Sequence, residues 1–489
     1  MNEPINHRAL LEDVAREAMS ERDLYPDIPR QVEQEVAALR PIDVDAADAR
    51  EMRELAWMSI DNDDSRDIDQ LSYAERDADG AIRVFVAVAN VDSLVHKGQP
   101  TDEFAQANTT SVYTPARVFP MLPERLSTDL TSLNADVDRL AIVVEMLIDE
   151  QGNKRYEDVY PARVRNVAQT SYNKVAAALG GQPPPELAAR EDLLELLRLQ
   201  DEAAQRMKRR RLARGALEFD RLEPHVVFDG NQVTGLERTA PNRATQLIEN
   251  FMIGANGVTA RFLDRHGSSV IRRVVRSPER WHRIVEVAAQ FGTTLPPEPD
   301  SRPLRKFLAE RRDADPLRFP DLSLTIIKLM GRGEYVVTDA KHKVGHFGLA
   351  VNDYTHSTAP NRRYPDLLTQ RLLKAIFAKQ RAPYSRAELR GLAQHCTDKE
   401  DDASKVERRL LKAAGALLLS ESIGEEFEAI VTGASDRGTW VRVIEPPVDG
   451  KLVKGDRGRH VGERIVVELL RVEPARGFLD FEMKKKGHK

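Results

Sequence analysis

Between Ser59 and Gln70 the chain places five carboxylates, on Asp61, Asp63, Asp64, Asp67 and Asp69, directly after the apolar residues Trp57, Met58 and Ile60. Like charges at this density repel one another, and a folded protein holds them only with a compensating partner. The fitting partner is a divalent cation, because Mg²⁺ takes oxygen ligands and keeps positions open for water and phosphate oxygens. Two such ions can flank a scissile phosphate and stabilise both the attacking and the leaving oxygen. A solvated acidic loop is the ordinary fate of an Asp-rich run. The flanks argue against it here: the strand-like segment Ile82 to Val91 follows soon after and sets the run beside a core.

A chain of 489 residues exceeds one ordinary core, so about two to four domains are expected. Hydrophobic residues make up 41%, which excludes wholesale disorder. The single cysteine, Cys396, excludes an intramolecular disulfide and any multi-cysteine zinc site, a usage that suits a reducing cytoplasm. The first residues carry Glu3, Glu12 and Asp13 and no apolar stretch of a signal peptide. The best apolar run, Leu140 to Ile148, is interrupted by Glu145 and too short to span a membrane. A cytoplasmic protein with no membrane or disulfide partner is expected.

The net charge of −5 is unevenly spread. Residues 1–55 hold 7 Arg, no Lys and 14 Asp plus Glu, a net of −7, which leaves +2 for the rest despite the acidic run. Basic stretches follow at Arg206-Met207-Lys208-Arg209-Arg210-Arg211, at Arg272, Arg273, Arg276, Arg280 and Arg283, and at Arg362-Arg363. Each alone is expected to be a solvated face rather than a phosphate track.

Three regions emerge along the chain. In residues 1–55, Leu10, Leu11, Val14 and Ala18 follow helical spacing, a second helix runs from about Arg30 to Leu39, and Ala46 to Ala56 forms a third. These make either a helix-turn-helix-like unit or an arm packed on the main domain. Residues 56–420 alternate strands, at Val84 to Val91 and Ala141 to Ile148, with helices at Leu187 to Arg214, 243–264 and Arg386 to Leu419. Val226-Val227-Phe228 leads into a hairpin turn at Asp229-Gly230-Asn231. Residues 424–484 hold five short β runs, Phe427 to Thr432, Thr439 to Ile444, Val448 to Val453, Ile465 to Val472 and Phe478 to Glu482, punctuated by glycines. That pattern predicts an OB-type barrel, which binds single-stranded nucleic acid through aromatic and cationic side chains. Phe427, Trp440, Arg442 and Lys451 are the candidates, with Phe427 the more inclined to the barrel core. Lys484-Lys485-Lys486 makes a short basic tail.

Four motifs occur in order. They are the acidic run; Ser111-Val112-Tyr113-Thr114-Pro115-Ala116-Arg117-Val118-Phe119-Pro120-Met121-Leu122-Pro123 with Leu126-Ser127 and Ser132-Leu133-Asn134; His346-Phe347-Gly348-Leu349-Ala350 through Thr358-Ala359-Pro360-Asn361-Arg362-Arg363-Tyr364-Pro365-Asp366-Leu367; and His395-Cys396-Thr397 with Glu400 and Glu407-Arg408. Over roughly residues 25–484 the chain resembles the ribonuclease II / ribonuclease R exoribonucleases, the RNB family. The resemblance implies an α+β fold: a large RNB catalytic domain, a C-terminal five-stranded OB-type (S1) β-barrel at 424–484, and a small helical N-terminal region. It also implies Mg²⁺-dependent (or Mn²⁺-dependent) hydrolysis of single-stranded RNA from the 3′ end, processively, to nucleoside 5′-monophosphates, in RNA turnover.

In that resemblance Asp61, Asp67 and Asp69 match metal-site aspartates, with Asp67, Asp69 and Arg362 at the catalytic centre. Tyr113 and Phe219 match aromatics that stack on terminal bases, Tyr172 another aromatic near the centre, and Glu249 the residue that contacts the terminal ribose. Trp440 is the barrel's RNA-binding candidate. Gln70 stands where the family has a fourth aspartate; its amide oxygen can still ligate Mg²⁺ but brings no charge. Asn361 replaces a usual Ile and Ala359 a usual Ser. Two cold-shock barrels of the family are not expected within residues 1–55, which leaves RNA with structured regions open as a substrate. The alternatives are a catalytically weak or inactive RNA-binding protein on the same fold, motivated by Gln70, and a metal-dependent nuclease acting on DNA.

Overall fold

The computed structural model describes residues 6–484 apart from 221–222, 317, 339–344 and 436–437. Strands Trp57–Asp61, Gln70–Arg76, Ile82–Ala89 and Asp138–Ile148 pair antiparallel in that order. The 18-residue strand Lys154–Ser171 pairs antiparallel with Asp138–Ile148 along its first part. Its last residues pair in parallel with Trp57–Asp61, so both ends of the meander return to it. The sheet is buried rather than one-sided: every residue of Ile82–Ala89 except Arg83 is buried. Near-continuous apolar runs such as this one are what a covered sheet requires. The covering helices include Glu191–Ala213 and Arg243–Arg265.

A second, smaller core joins helices Trp281–Gln290, Ser301–Ala314 and Phe319–Met330 through Trp281, Ile284, Leu304, Phe307 and Ile326. The 33-residue helix Arg386–Leu418 starts from a capping box of Ser385 and Glu388 and runs along the flank of the molecule to the last unit. There, strands Glu426–Ser435, Gly438–Val443, Asp449–Lys454, Arg464–Glu473 and Phe478–Lys484 close into a barrel, matching all five predicted β runs to within a few residues. Of the basic tail, Lys485 and Lys486 lie outside the described residues. Among the described residues no helix is long and apolar enough to cross a membrane, and Cys396 is free and buried.

The N-terminal expectation is corrected in part. Helices His7–Ser20 and Arg30–Ala38 form as predicted, but Ala46 to Ala56 is not helical; it holds the short strand Arg50–Glu51. The cause lies far along the chain. The Arg163 guanidinium donates hydrogen bonds to Val44 O at 2.8 Å, Ala47 O at 2.6 Å and Ala49 O at 2.7 Å, drawing those carbonyls out of any helical ladder. Arg50 and Glu51 then pair with Ala162 and Arg163. The two helices do not pack as one unit. The first shares a core with Ala403, Val406 and Leu410 of the long helix, and the second contacts helix Pro100–Asn108. The arm reading therefore holds over the helix-turn-helix one.

Candidate active site

Asp61 ends strand Trp57–Asp61 and Asp69 immediately precedes strand Gln70–Arg76, so the acidic run is the loop joining two neighbouring sheet strands. Its closing end is pinned from below. Ser132 Oγ accepts from Ile68 N at 2.9 Å, Leu133 N donates to Ile68 O at 3.0 Å, and Ala89 N donates to Asp69 O at 2.9 Å. The Ser132-Leu133-Asn134 motif thus shapes the loop. Asp61 Oδ1 accepts from Asn62 N at 2.8 Å and from Ser65 Oγ at 3.0 Å. Gln70 is buried at the head of its strand and, by two-residue alternation, shares the face of Ser72.

Arg362 meets this loop from the turn ahead of helix Tyr364–Phe377. Asn361 N donates to Asp69 Oδ1 at 3.1 Å and Arg362 Nε donates to Asp69 Oδ2 at 3.2 Å, so one carboxylate is held through both oxygens. The pair is asymmetric: the Asp69 side chain is 2% exposed and that of Arg362 44%. Arg363 diverges, giving Nη2 to Asp366 Oδ1 at 2.7 Å, so the Arg362-Arg363 doublet is not one basic face. The helix itself is fastened to the sheet end. Gln370 Nε2 donates to Ala89 O at 2.6 Å, and buried Arg371 reaches Asp92 and Asp102, each at 2.8 Å. Asn361 shows what its replacement of an apolar residue does: Oδ1 accepts from Thr131 Oγ1 at 2.6 Å, tying the turn to the loop that carries Ser132.

Tyr113 and Tyr172 join the group. Tyr113, on the hairpin of Val112–Tyr113 and Val118–Phe119, is half exposed; its hydroxyl is held above its ordinary pKa by burial of the ring, with Asp67 and Asp69 adding to the rise and Arg362 opposing it. Glu407 of the fourth motif accepts from Tyr113 N at 3.0 Å. Tyr172, opening helix Tyr172–Leu179 beyond Asp61's strand partner Ser171, is likewise raised, by burial and then by Asp61, against Arg362.

Three predicted residues stand apart. Phe219 is partly buried and packs on the Leu217–Trp281 core. Glu249 is exposed, 3.7 Å from Arg211, two turns along helix Arg243–Arg265 from the end that touches Tyr172 through Asn242. Trp440 lies in the barrel opposite Lys451, outside the barrel's apolar cluster, whereas Phe427 packs on that cluster. Arg442 is committed to a two-pronged pair with Asp449 at 2.8 and 2.9 Å, which removes it from the candidates for phosphate. Two basic stretches also depart from expectation. Arg206 is buried and Arg272 fully so, the latter paired with Asp264 and Asp353.

The donor chemistry fits a hard divalent cation. The loop offers five carboxylates and no histidine or cysteine, and the carboxylates burden one another: burial and then Asp61 and Asp64 raise Asp67, against Arg362. Burial pushes Asp69 up to about 7, with Arg362 and Asn361 N opposing and Asp67 adding to it. Among the described residues no three acidic, His or Cys groups converge on one point as ligands. The strain sets a testable sign. Because the folded pKa lies above the ordinary 3.8, ionising Asp69 costs stability, which falls as pH rises from about 4 to about 7. In metal-free buffer at pH 8, Asp69→Asn is expected to be more stable than the parent by on the order of 2–4 kcal/mol. The gain should vanish near pH 3 in thermal unfolding. A parent more stable than the variant at pH 8 without metal would show that the carboxylate is not strained.

A family description of the RNB domain matches residues 49–379, and one of the RNase II-type exonuclease C-terminal S1 domain matches residues 425–484. The chain belongs to the RNB-domain family, with a C-terminal S1 barrel of the RNase II type. Its relatives narrow this. It is 33% identical over 449 residues to ribonuclease R of Escherichia coli (strain K12), covering 86% of this chain and 53% of that protein. It is 30% identical over 468 residues to ribonuclease R of Aquifex aeolicus (strain VF5), covering 89% and 65%. The chain thus spans between about half and two thirds of the length of these relatives. The structure of Mycoplasma genitalium RNase R in complex with ribose-methylated single-stranded RNA matches the fold with a TM-score of 0.87 at 24% identity, covering 96% of this chain and 77% of that one.

Proposed function

We propose that this protein is a divalent-metal-dependent 3′→5′ exoribonuclease that shortens RNA and releases nucleoside 5′-monophosphates. The observation that carries the reading is the buried Asp69 carboxylate clamped by Asn361 N and Arg362 Nε, with Asp67 and Tyr113 in reach of Asp69 and Tyr172 in reach of Asp61 and Arg362. Asp61, Asp67 and Asp69, with Gln70 as a neutral oxygen donor, would hold Mg²⁺ or Mn²⁺, which supplies a nucleophilic water at neutral pH and positive charge for phosphoryl oxygens.

The chain's own groups do the rest. Asp69 takes Arg362 Nε and the Tyr113 hydroxyl lies within hydrogen-bond reach of the same guanidinium, whose half-exposed outer N–H groups would turn to phosphate oxygens and offset charge that grows as the bond breaks. Tyr113, Tyr172 and Phe219 offer ring faces to bases, each stack worth roughly 1–3 kcal/mol whatever the sequence. Glu249 would take the terminal ribose, where a 2′-hydroxyl contact favours RNA over DNA. Trp440 and Lys451 on the barrel would hold the strand upstream.

Incubating 5′-labelled single-stranded RNA with Mg²⁺, Mn²⁺ or chelator tests this. A descending ladder with mononucleotides released is the expected result, and equal attack on DNA would overturn the RNA assignment. Binding without cleavage would favour the catalytically silent reading that Gln70 motivates. Because ligand charge sets cation affinity, Gln70→Asp is expected to lower the half-saturating Mg²⁺ concentration by about tenfold in an activity titration. An unchanged midpoint would place residue 70 outside the cation's reach.

A further inference from the structure

Beyond the site lies a cavity of about 1280 Å³, bounded by helix Arg243–Arg265, the last turns of helix Glu191–Ala213, the start of strand Lys154–Ser171 and the loop at 345–353. It exceeds the roughly 300–1,000 Å³ of ordinary small-molecule sites. One helix connects it to the carboxylates. Asn242, its cap, gives Nδ2 to Tyr172 O at 3.4 Å, and Asn250, Ile253, Gly254 and Gly257 further along form the cavity wall. At 1.5 Å per residue that wall begins roughly 12 Å from the cap.

The wall is unevenly neutralised. Arg261 pairs with Glu157, Arg276 with Glu334, and Asp353 with Arg272. Lys154, Arg210 and Arg214 have no carboxylate at ion-pair distance among the described residues, and Arg211 has only Glu249, at 3.7 Å. Arg210 Nε is buried without a hydrogen-bond partner. Lys154 Nζ meets a carbonyl, Gly254 O at 3.4 Å; burial and then Arg261, Arg214 and Arg211 hold its pKa down at about 7, against Glu157. Partly buried cations without counter-charges are costly, and an anion relieves them. The stretch Arg206 to Arg211 is thus not a solvated face: it turns Arg210 and Arg211 into this chamber.

We propose that the cavity binds the phosphate of a nucleoside 5′-monophosphate, receiving the product from the neighbouring carboxylate centre. A phosphomonoester carries nearly two charges at pH 7, its second pKa being about 6, whereas each phosphodiester of the RNA carries one. Four cations, whose nearby carboxylates are Glu249, 3.7 Å from Arg211, and Glu157, already paired with Arg261, therefore favour the product over the strand. Arginines suit it because their planar forks take phosphate oxygens in pairs. The route from centre to chamber rests on the hydrolysis proposed above; the binding itself does not.

Calorimetric titration of the full chain with AMP, adenosine and orthophosphate in separate arms tests the proposal without any turnover. AMP should bind, adenosine should not, and orthophosphate should bind more weakly than AMP. Arg214→Gln, at the exposed helix end, and Arg210→Gln should each weaken AMP at least tenfold, Lys154→Arg should retain it, and affinity for a single-stranded RNA oligomer should stay within twofold. AMP binding at pH 7.5 should also take up part of a proton at Lys154, seen as a heat that varies with the buffer's ionisation enthalpy. Unchanged AMP affinity in both arginine variants, or a matching loss of RNA affinity, would overturn the assignment. Orthophosphate bound as tightly as AMP would make this a plain phosphate site and overturn the mononucleotide. If RNA is not cleaved but the arginine variants lose AMP, the chamber stands and the proposed hydrolysis falls.

Discussion

Arg362→Ala is expected to slow RNA hydrolysis by about 10²–10³ under single-turnover conditions, the usual loss when a preorganised donor to developing charge is removed. RNA affinity should change little, because in the proposed site the bases would be met by aromatic faces and the barrel lies elsewhere. The geometry adds a second signature. Arg362 is the largest influence opposing the burial that lifts Asp69 to about 7. Without the guanidinium the Asp69 carboxylate titrates higher, so the acidic limb of the pH–rate profile should move to higher pH. Arg362→Lys should not restore the rate, since an ammonium cannot hold Asp69 Oδ2 through one donor and grip two phosphate oxygens in a fixed plane with the others. A near-normal rate in Arg362→Ala, or an unmoved limb, would remove Arg362 from the chemistry.

Much of this centre was legible because its parts are local in sequence. The apolar residues ahead of the acidic run and the strand-like Ile82 to Val91 beyond it set the run beside a core, and the structure makes it a strand-to-strand loop with Asp61 and Asp69 at its two ends. The five β runs of 424–484 needed only alternation and glycines to announce a barrel. What escaped depends on partners distant in the chain. Ala46 to Ala56 has good helical composition, but Arg163, more than a hundred residues on, takes its carbonyls. The basic stretches looked solvated because composition does not reveal the facing acid: Arg272 meets Asp264 and Asp353, and Arg206 meets Glu202. Asn361 was visible as a departure, yet only the fold shows that its backbone N–H serves Asp69 and its side chain serves Thr131. Phe219 and Glu249 have no local sequence signal of their own, and in the structure Phe219 packs on the Leu217–Trp281 core while Glu249 faces Arg211.

The position of Arg362 is inherited from a residue nine places further along. Arg371 is 3% exposed and gives Nε to Asp92 at 2.8 Å, Nη1 to Tyr384 Oη at 2.7 Å and Nη2 to Val95 O at 2.8 Å, with Asp102 also at 2.8 Å. It bolts helix Tyr364–Phe377 to the segment that follows strand Ile82–Ala89, whose last N–H in turn holds Asp69 O. Arg371→Leu keeps the volume but strands Asp102, buried at 3% side-chain exposure, with hydrogen bonds from Gly98 N and Tyr364 Oη and no cation. Asp92 keeps Lys374 at 2.8 Å. Removing one partner of a buried pair typically costs about 3–5 kcal/mol, because the other charge is left uncompensated. Urea unfolding should therefore show a loss of that order. Arg371→Leu combined with Asp102→Leu should recover most of it, since the stranded charge is gone. Activity should not recover in step: the double variant regains a core but not the Tyr384 and Val95 bonds that orient the helix, so the Asp69–Arg362 clamp stays loose and the rate stays low. Full recovery of both stability and rate would mean that hydrophobic packing alone positions the clamp, and no recovery of stability would mean that Asp102 was never the source of the cost.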